Sequence, residues 1–152
     1  MAKKTRSFSA SESTIHLLHR AGQLADEAFV SALGRDGITA RQFIVLSIVA
    51  REENLSQTAI CDVSGIDRST LADIVRRLVA RGLLARRRTR EDARMYAVRI
   101  TDAGNRALER SLQVAKDVDS TLLSVLPGSQ RNEFESALRL MVDKLLQAKT
   151  SV

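Results

Sequence analysis

Positive charge in this chain is concentrated in one stretch of sequence. Between Arg68 and Arg99 there are ten arginines and three acidic residues, a net charge of +7, whereas the whole chain of 152 residues has a formal net charge of +6. The rest of the chain is therefore close to neutral. Such a concentration of positive charge favours binding to a polyanion, because each phosphate that an arginine neutralises releases condensed counterions. The alternative is that the arginines only cover a solvated helix face.

Two short helices separated by a sharp turn are predicted at the start of this stretch. Ser56 and Asp67 are typical N-capping residues, Gly65 permits the turn, and Gly82 is a typical helix stop. Apolar residues at helical spacing predict the contacts of the two helices with each other and with the core. They are Ile60, Ile66, Leu71, Ile74, Val75 and Leu78. The second helix keeps a polar, small-residue face, which suits entry into the major groove of DNA.

Two strands, 83–88 and 95–100, are predicted after these helices, because apolar and polar residues alternate in the second of them. Together the helices and the hairpin form a winged helix-turn-helix. Arginine, serine and threonine are the side chains that contact bases and phosphates, and helix N-termini bind phosphate. On the helices the candidate DNA contacts are Ser56, Gln57, Arg68, Ser69, Thr70, Asp73, Arg76 and Arg77. On the hairpin, or wing, they are Arg86, Arg88, Arg90 and Arg94, which suit a minor groove.

Two acidic residues stand among these arginines. Asp92, in the tip of the wing, is expected to pair with an arginine and brace the hairpin. Asp73 would repel phosphate, so it either contacts a cytosine amine or pairs with Arg76 or Arg77.

The flanking segments predict a mainly α (α+β) protein. A helix from Ser13 to Leu33 is apolar on two faces, which in so small a chain favours sharing with a second copy. Thr39 is expected to cap a second helix, Thr101 a long one, and Ser129 a last one with a single apolar face. We expect a basic tail without structure at 1–12 and one domain at 13–152. Within it, 13–37 and 102–150 supply dimerisation helices, and 38–101 form the DNA-binding lobe.

Residues 55–107 resemble the MarR family of winged-helix regulators. The resemblance rests on Ser56-Gln57-Thr58, Asp67-Arg68-Ser69-Thr70-Leu71, Leu78-Val79-Ala80-Arg81-Gly82-Leu83, Asp92-Ala93-Arg94 and Ile100-Thr101-Asp102-Ala103-Gly104. It implies a homodimer with interleaved terminal helices, each lobe taking one half-site of a pseudo-palindromic operator in double-stranded DNA. It also implies a repressor that a small ligand, often an aromatic or phenolic acid, releases. The flanking helices match the family's layout, so the likeness covers nearly the whole chain.

Polar residues near the apolar stripe of the first helix are the candidates for contacts with such a ligand. They are His16, His19, Arg20 and Asp26, together with Arg41 and Phe43 of the next helix. Ordinary polarity at the surface or at a dimer interface is the alternative. His16 and His19 alone make a weak metal site, so no metal is expected. Cys61 is either a small buried residue at the helix–helix contact, the reading we favour, or a redox sensor.

Composition and motifs restrict the other classes of protein to which the chain could belong. The single cysteine excludes an internal disulfide, and the 3% of aromatic residues disfavours a platform for single-stranded nucleic acid. No apolar run suits a membrane span or a signal peptide, so the cytoplasm is the expected compartment. No phosphate loop, metal cluster or nucleophile–base pair is recognisable, so neither catalysis nor a cofactor is expected. The competing function is an architectural protein that coats duplex DNA with little sequence preference.

Overall fold

The computed structural model describes residues 13–34, 37–52, 54–88 and 96–150. Its elements, in chain order, are α1 (Thr14–Leu33), α2 (Ala40–Arg51), β1 (Leu55–Ser56), α3 (Gln57–Ser64), α4 (Arg68–Ala80), β2 (Leu84–Arg88), β3 (Tyr96–Ile100), α5 (Asp102–Ser124) and α6 (Gly128–Thr150). The predicted fold class, a mainly helical winged helix-turn-helix, is confirmed. The predicted tail at 1–12 and the predicted wing tip lie outside the described residues, and the proposed domain limits stay a prediction.

Side-chain caps start the first four helices; those at Thr39, Ser56 and Asp67 were predicted from the sequence, and the cap at Ser13 was not. The hydroxyls of Ser13, Thr39 and Ser56 and the carboxylate of Asp67 each accept a backbone N–H from the third residue onward, at 2.9 to 3.2 Å. Such caps satisfy backbone donors that have no partner inside the helix. The predicted cap at Ser129 is wrong, because α6 already begins at Gly128 and the N–H of Gln130 bonds to the carbonyl of Pro127.

The strands form one antiparallel sheet in the order β1-β3-β2. β1 was not predicted, because its two residues are too few to show a periodic pattern. Its presence makes β3 a central strand, and it explains why Ala97 is buried although the alternation predicts its face to be polar. Ala97 lies in register with Ser56 on one side and Arg87 on the other.

The core of the unit that ends at Ala115 lies between α2, α3, α4 and the sheet. Its fully buried large side chains are Val45, Leu46, Val49, Ile60, Leu71, Val75, Leu78, Leu84 and Val98. All but one of the residues predicted to lock α3 against α4 are buried, and Ile66, the exception, is half-buried against the same cluster. The predicted helix–helix contact is therefore confirmed.

A second compact unit begins at Lys116 and contains the end of α5 and all of α6. Arg131 stabilises the turn between these helices: its Nε donates to the carbonyl of Leu126 at 3.0 Å and its Nη2 to that of Ser124 at 3.3 Å. The carbonyl of Ser124 ends α5 and would otherwise lack a partner within the helix, and the carbonyl of Leu126 lies in the turn that follows.

The start of α5 lies very close to the segment that joins α4 to β2. The hydroxyl of Thr101 accepts the N–H of Gly104 at 3.0 Å and donates to the carbonyl of Gly82 at 2.7 Å. A Cβ on Gly104 would lie 2.1 Å from the carbonyl oxygen of Leu83 and 2.7 Å from a carbon of Ile100. Only glycine permits this approach.

We expect Gly104→Ala to lower the free energy of unfolding by about 1–3 kcal/mol, because the added carbon overpacks against the backbone of Leu83. Gly128→Ala is the control: its Cβ would meet nothing within 4 Å, so its effect should stay within about 0.5 kcal/mol. Denaturant unfolding measures both. Equal effects of the two changes would contradict the close approach.

Candidate nucleic-acid interface

α4 has one buried and one exposed face. Leu71, Ile74, Val75 and Leu78 are buried in the core, which fixes the helix against the rest of the lobe. The opposite face is exposed and consists of Arg68, Ser69, Ala72, Arg76, Arg77 and Ala80. Small residues alternate there with arginines, so the backbone can approach a partner while the guanidinium groups reach past it. A face of this kind fits the major groove of duplex DNA.

The turn before α4 sets the direction of this face. Gly65 adopts a left-handed conformation with φ of 68°, and its N–H donates to the carbonyl of Cys61 at 2.9 Å. The hydroxyl of Ser64 accepts the N–H of Ile66 at 3.2 Å. Glycine is favoured in this conformation because other residues would crowd their own backbone.

The N-termini of α3 and α4 are partly occupied by their own caps. Ser56 and Gln57 are half-buried, and the Ser56 hydroxyl already accepts the N–H of Ala59. In α4 the half-buried Thr70 gives its N–H to Asp67 at 2.9 Å. Fewer backbone donors are therefore free for phosphate here than the two helix N-termini suggest from the sequence.

Asp67 is held in its ionised form. The hydroxyl of Ser69 donates to its Oδ1 at 2.6 Å, and the N–H and hydroxyl of Thr70 add to this. These hydrogen bonds hold the pKa of the Asp67 carboxyl well below its ordinary value. The negative charge also lies at the positive end of the α4 dipole, which is favourable.

Asp73 pairs with both of its neighbouring arginines. Arg76 Nη2 donates to Oδ1, and Arg77 Nε donates to Oδ2 at 2.7 Å. The hydrogen bond from Arg76, followed by the charge of Arg77, lowers the pKa of the Asp73 carboxyl. Of the two interpretations offered by the sequence, ion pairing is the one that the structure contains, and it involves two arginines.

The described part of the wing carries further arginines. Arg86 and Arg87 on β2 and Arg99 on β3 are exposed, and together with Asp102 they line a surface groove of about 400 Å³. Arg87 and Arg99 were not predicted as contacts, although their alternate positions in the strands place them on one face of the hairpin. The backbone of Arg88 ends β2; Arg90, Asp92 and Arg94 lie outside the described residues.

The residues predicted to contact a ligand divide into two places. On α1, His16, His19, Arg20 and Asp26 are exposed, and Gln23 joins two of them: its side chain lies 3.1 Å from His19 Nε2 and accepts from Arg20 at 3.2 Å. On α2, Arg41 is exposed, whereas Phe43 is half-buried with its ring centroid 5.3 Å from that of Phe29. Phe43 thus contributes to the core.

A cavity of about 250 Å³ lies elsewhere in the same unit. The residues that line it are Leu33, Gly37, Ile38, Arg81, Leu83, Ala107, Arg110 and Ser111. Most of them are apolar, and the polar side chains are those of Arg81, Arg110 and Ser111. Arg81 donates to the carbonyl of Gly37 at 3.0 Å, and Ser111 to that of Ala107 at 2.8 Å. None of the predicted ligand contacts lines this cavity. Its residues come from distant parts of the sequence, which is why no local pattern indicated it.

Cys61 is half-buried and packs against the core of the lobe, as expected for a residue at the α3–α4 contact. In the part of the chain that the structure describes, no group of three or more His, Cys, Asp or Glu side chains is placed to hold a metal ion. None of the described helices combines the length and apolarity needed to cross a membrane.

Known proteins share this sequence pattern. The sequence model of the MarR family matches residues 36–95. The HTH-type transcriptional repressor NicR of Pseudomonas putida is 27% identical, with 94% of this chain and 96% of NicR covered. The chain spans 96% of the length of NicR, but only 63% of the length of another curated relative that it matches.

Solved structures share the fold. BpsR of Bordetella bronchiseptica, whose DNA binding is regulated by 6-hydroxynicotinic acid, superposes with a TM-score of 0.81 at 28% identity, covering 90% of this chain and 98% of BpsR. The PcaV transcriptional regulator of Streptomyces coelicolor, solved in complex with its natural ligand, superposes with a TM-score of 0.79 at 28% identity. That match covers 90% of this chain and 96% of PcaV.

The cap at Asp67 predicts a pH-dependent stability. Because folding lowers its pKa, the ionised carboxyl stabilises the fold above its unfolded pKa of about 3.9, and this contribution is lost as the pH falls from there toward the folded value. Asp67→Asn keeps a good cap but removes the charge. We expect the variant to melt below the wild type at pH 7 and the difference to narrow below about pH 4. A melting-temperature difference that stayed constant down to about pH 2 would contradict this assignment.

Proposed function

The chain belongs to the MarR family of transcriptional regulators, and on that premise we propose that it is a homodimeric, sequence-specific repressor on double-stranded DNA, released by an aromatic or phenolic acid. The observation that carries the proposal is the exposed face of α4, where arginines alternate with small residues on a helix whose other face is buried in the core. Such a helix can enter the major groove without rearrangement of the lobe.

The DNA contacts divide by element. Arg68, Ser69, Thr70 and Arg76 contact bases in the major groove, where a guanidinium group binds guanine with two hydrogen bonds. Arg77 and the cap residues Ser56 and Gln57 contact the flanking phosphates. The arginines of the wing, Arg86, Arg88, Arg90 and Arg94, bind phosphate or the minor groove, with Asp92 as their brace. Arg87 and Arg99 extend this basic surface along the hairpin.

The homodimer is supported by apolar side chains that remain in water in the single chain. Ile15 is 82% exposed on α1, and Leu145 is 60% exposed on α6. Other large apolar side chains on the same two helices are also exposed, namely Leu17, Leu18, Leu24, Val30, Phe134, Leu138, Leu140, Val142 and Leu146. Each Å² of apolar surface removed from water contributes about 25 cal/mol of stabilising free energy. A second copy that covered the apolar side chains of both helices would therefore stabilise the dimer considerably. A two-fold dimer then presents two α4 helices to a pseudo-palindromic operator.

The proposed ligand class is supported by the ligand of a solved relative and by the donors on α1. 6-Hydroxynicotinic acid, which regulates the DNA binding of BpsR, is a flat pyridine ring that carries a carboxylate and a hydroxyl group. On α1 the pair of His19 and Arg20, joined through Gln23, offers donors beside exposed apolar residues. His16 and Asp26 add polar groups on the same helix, whereas Arg41 and Phe43 belong to α2, where Phe43 packs against Phe29. Binding shifts the population of dimers toward a lobe spacing that no longer fits the operator.

The cavity that contains Arg110 is a second candidate place for the same ligand. Its apolar lining suits a ring, and the guanidinium group of Arg110 suits a carboxylate. Ligand binding at the two places predicts different effects of point variants, so measurements on those variants distinguish the two sites.

The DNA-binding proposal predicts a strong sequence preference. In a selection from random duplexes of about 30 base pairs, the full chain should enrich a pseudo-palindrome, bind it with two copies per duplex, and prefer it at least about 10³-fold over a scrambled duplex. Arg68→Ala should cost about ten- to hundredfold in affinity for the enriched duplex and relax the preference, because a base contact is lost.

Arg86→Ala should weaken binding to both duplexes alike and reduce the salt slope by about 1, since it removes a phosphate contact. Arg106→Ala, a change at an exposed arginine of α5, is the control and should leave both affinities within about twofold. Equal affinity of the wild type for enriched and scrambled duplexes would instead indicate an architectural DNA-coating protein.

The ligand proposal predicts that 6-hydroxynicotinic acid or 4-hydroxybenzoic acid raises the melting temperature by several degrees at saturating concentration and weakens operator binding. Arg20→Gln should abolish both effects if the ligand binds on α1, and Arg110→Gln if it binds in the cavity. The uncharged 4-hydroxybenzamide serves as the matched control. A ligand that stabilises the protein but leaves operator affinity unchanged would contradict the release mechanism.

A further inference from the structure

An acidic side chain lies on the face of α4 that we propose contacts DNA. Asp73 follows Ser69 by one helical turn and precedes Arg76 and Arg77 by three and four residues, so its carboxylate is on the same side of the helix as both guanidinium groups. Its side chain is 40% exposed, whereas those of Arg76 and Arg77 are 69% and 63% exposed. The two guanidinium groups are thus exposed to a polyanion, and the carboxylate between them is partly exposed.

Both oxygens of the carboxylate are used. Oδ1 accepts from Arg76 Nη2, and Oδ2 accepts from Arg77 Nε at 2.7 Å. Each arginine has five N–H donors, so one contact leaves most of its donors available to a base or a phosphate. What the carboxylate restricts is the direction in which each guanidinium group can point.

Stability does not account for this arrangement, because exposed ion pairs contribute little to folding. An effect on DNA binding is expected, because a fixed negative charge lies beside two of the three arginines of α4. On any duplex the carboxylate opposes close phosphate contact. On a duplex that presents a cytosine amine or another base donor to it, this opposition is offset by a hydrogen bond.

We propose that Asp73 is a positioning residue for sequence specificity: it holds Arg76 and Arg77 against α4 and thereby weakens binding to DNA of the wrong sequence more than binding to the operator. The proposal rests on the proposed function in that it takes α4 as the groove-reading helix. Discrimination here comes from a penalty against incorrect partners, in addition to contacts with the correct one.

The experiment compares Asp73→Asn with Asp62→Asn in the full chain. Asp62 is an exposed aspartate of α3 in the same lobe, and no ion pair joins it to another described residue, so its replacement changes the net charge equally without releasing an arginine. Affinities for a random-sequence duplex and for the enriched duplex are measured across a salt series. Circular dichroism and melting curves establish that each variant is folded.

We expect Asp73→Asn to bind the random duplex about three- to tenfold more tightly, with a salt slope steeper by about 1, as two arginines become free for phosphate. The preference for the enriched duplex should fall by about tenfold, while Asp62→Asn changes either affinity by less than about twofold. Asp73→Glu, which keeps a carboxylate within reach of both arginines, should restore most of the preference.

Equal gains for Asp62→Asn and Asp73→Asn would overturn the proposal, since net charge alone would then explain the effect. An equal change of Asp73→Asn on both duplexes would also overturn it. If the wild type enriches no sequence at all, the proposed function fails, whereas the comparison of the two variants on the random duplex still decides whether Asp73 restrains the arginines.

Discussion

The contact between the start of α5 and the backbone of Leu83 determines how the parts of the lobe fit together. The N–H of Thr101 donates to the carbonyl of Leu83 at 3.1 Å, the Thr101 hydroxyl donates to Gly82, and Gly104 has no Cβ to separate the two segments. The end of α4, the beginning of the wing and the first turn of α5 therefore meet at one point. A shift of α5 at that point cannot leave the wing where it was, because backbone atoms are in contact.

The charge on α4 is more finely arranged than the excess of arginine suggests. Asp67 and Asp73 are both held ionised, one at the start of the helix by hydroxyl and N–H donors, the other on its exposed face by guanidinium groups. The first stabilises the helix itself, because it satisfies the N–H of Thr70. The second restrains the side chains that reach outward. The helix that we propose contacts DNA thus carries negative charge at two defined places.

The sequence was sufficient to predict a structural feature where the interaction that decides it is local. Helix caps at Thr39 and Asp67, the turn at Gly65 and the α3–α4 contact all depend on residues a few positions apart, and all were predicted correctly. It was insufficient where the deciding partner is distant. β1 is a strand only because β3 lies beside it, and the cavity with Arg110 exists only because segments from three regions of the chain converge. For Asp73, spacing permitted either arginine as partner, and only the rotamers show that both are used.

The hydrogen bond from Arg81 to the carbonyl of Gly37 spans 44 positions of sequence and joins the end of α4 to the turn after α1. Its acceptor is a main-chain atom, which every amino acid supplies. Side chains in that turn can therefore be exchanged during evolution without severing the connection, as long as Gly37 itself stays small, since a Cβ there would lie 2.5 Å from that of Leu33. Substitutions around α1 that spare Gly37 therefore leave this support of the end of α4 intact.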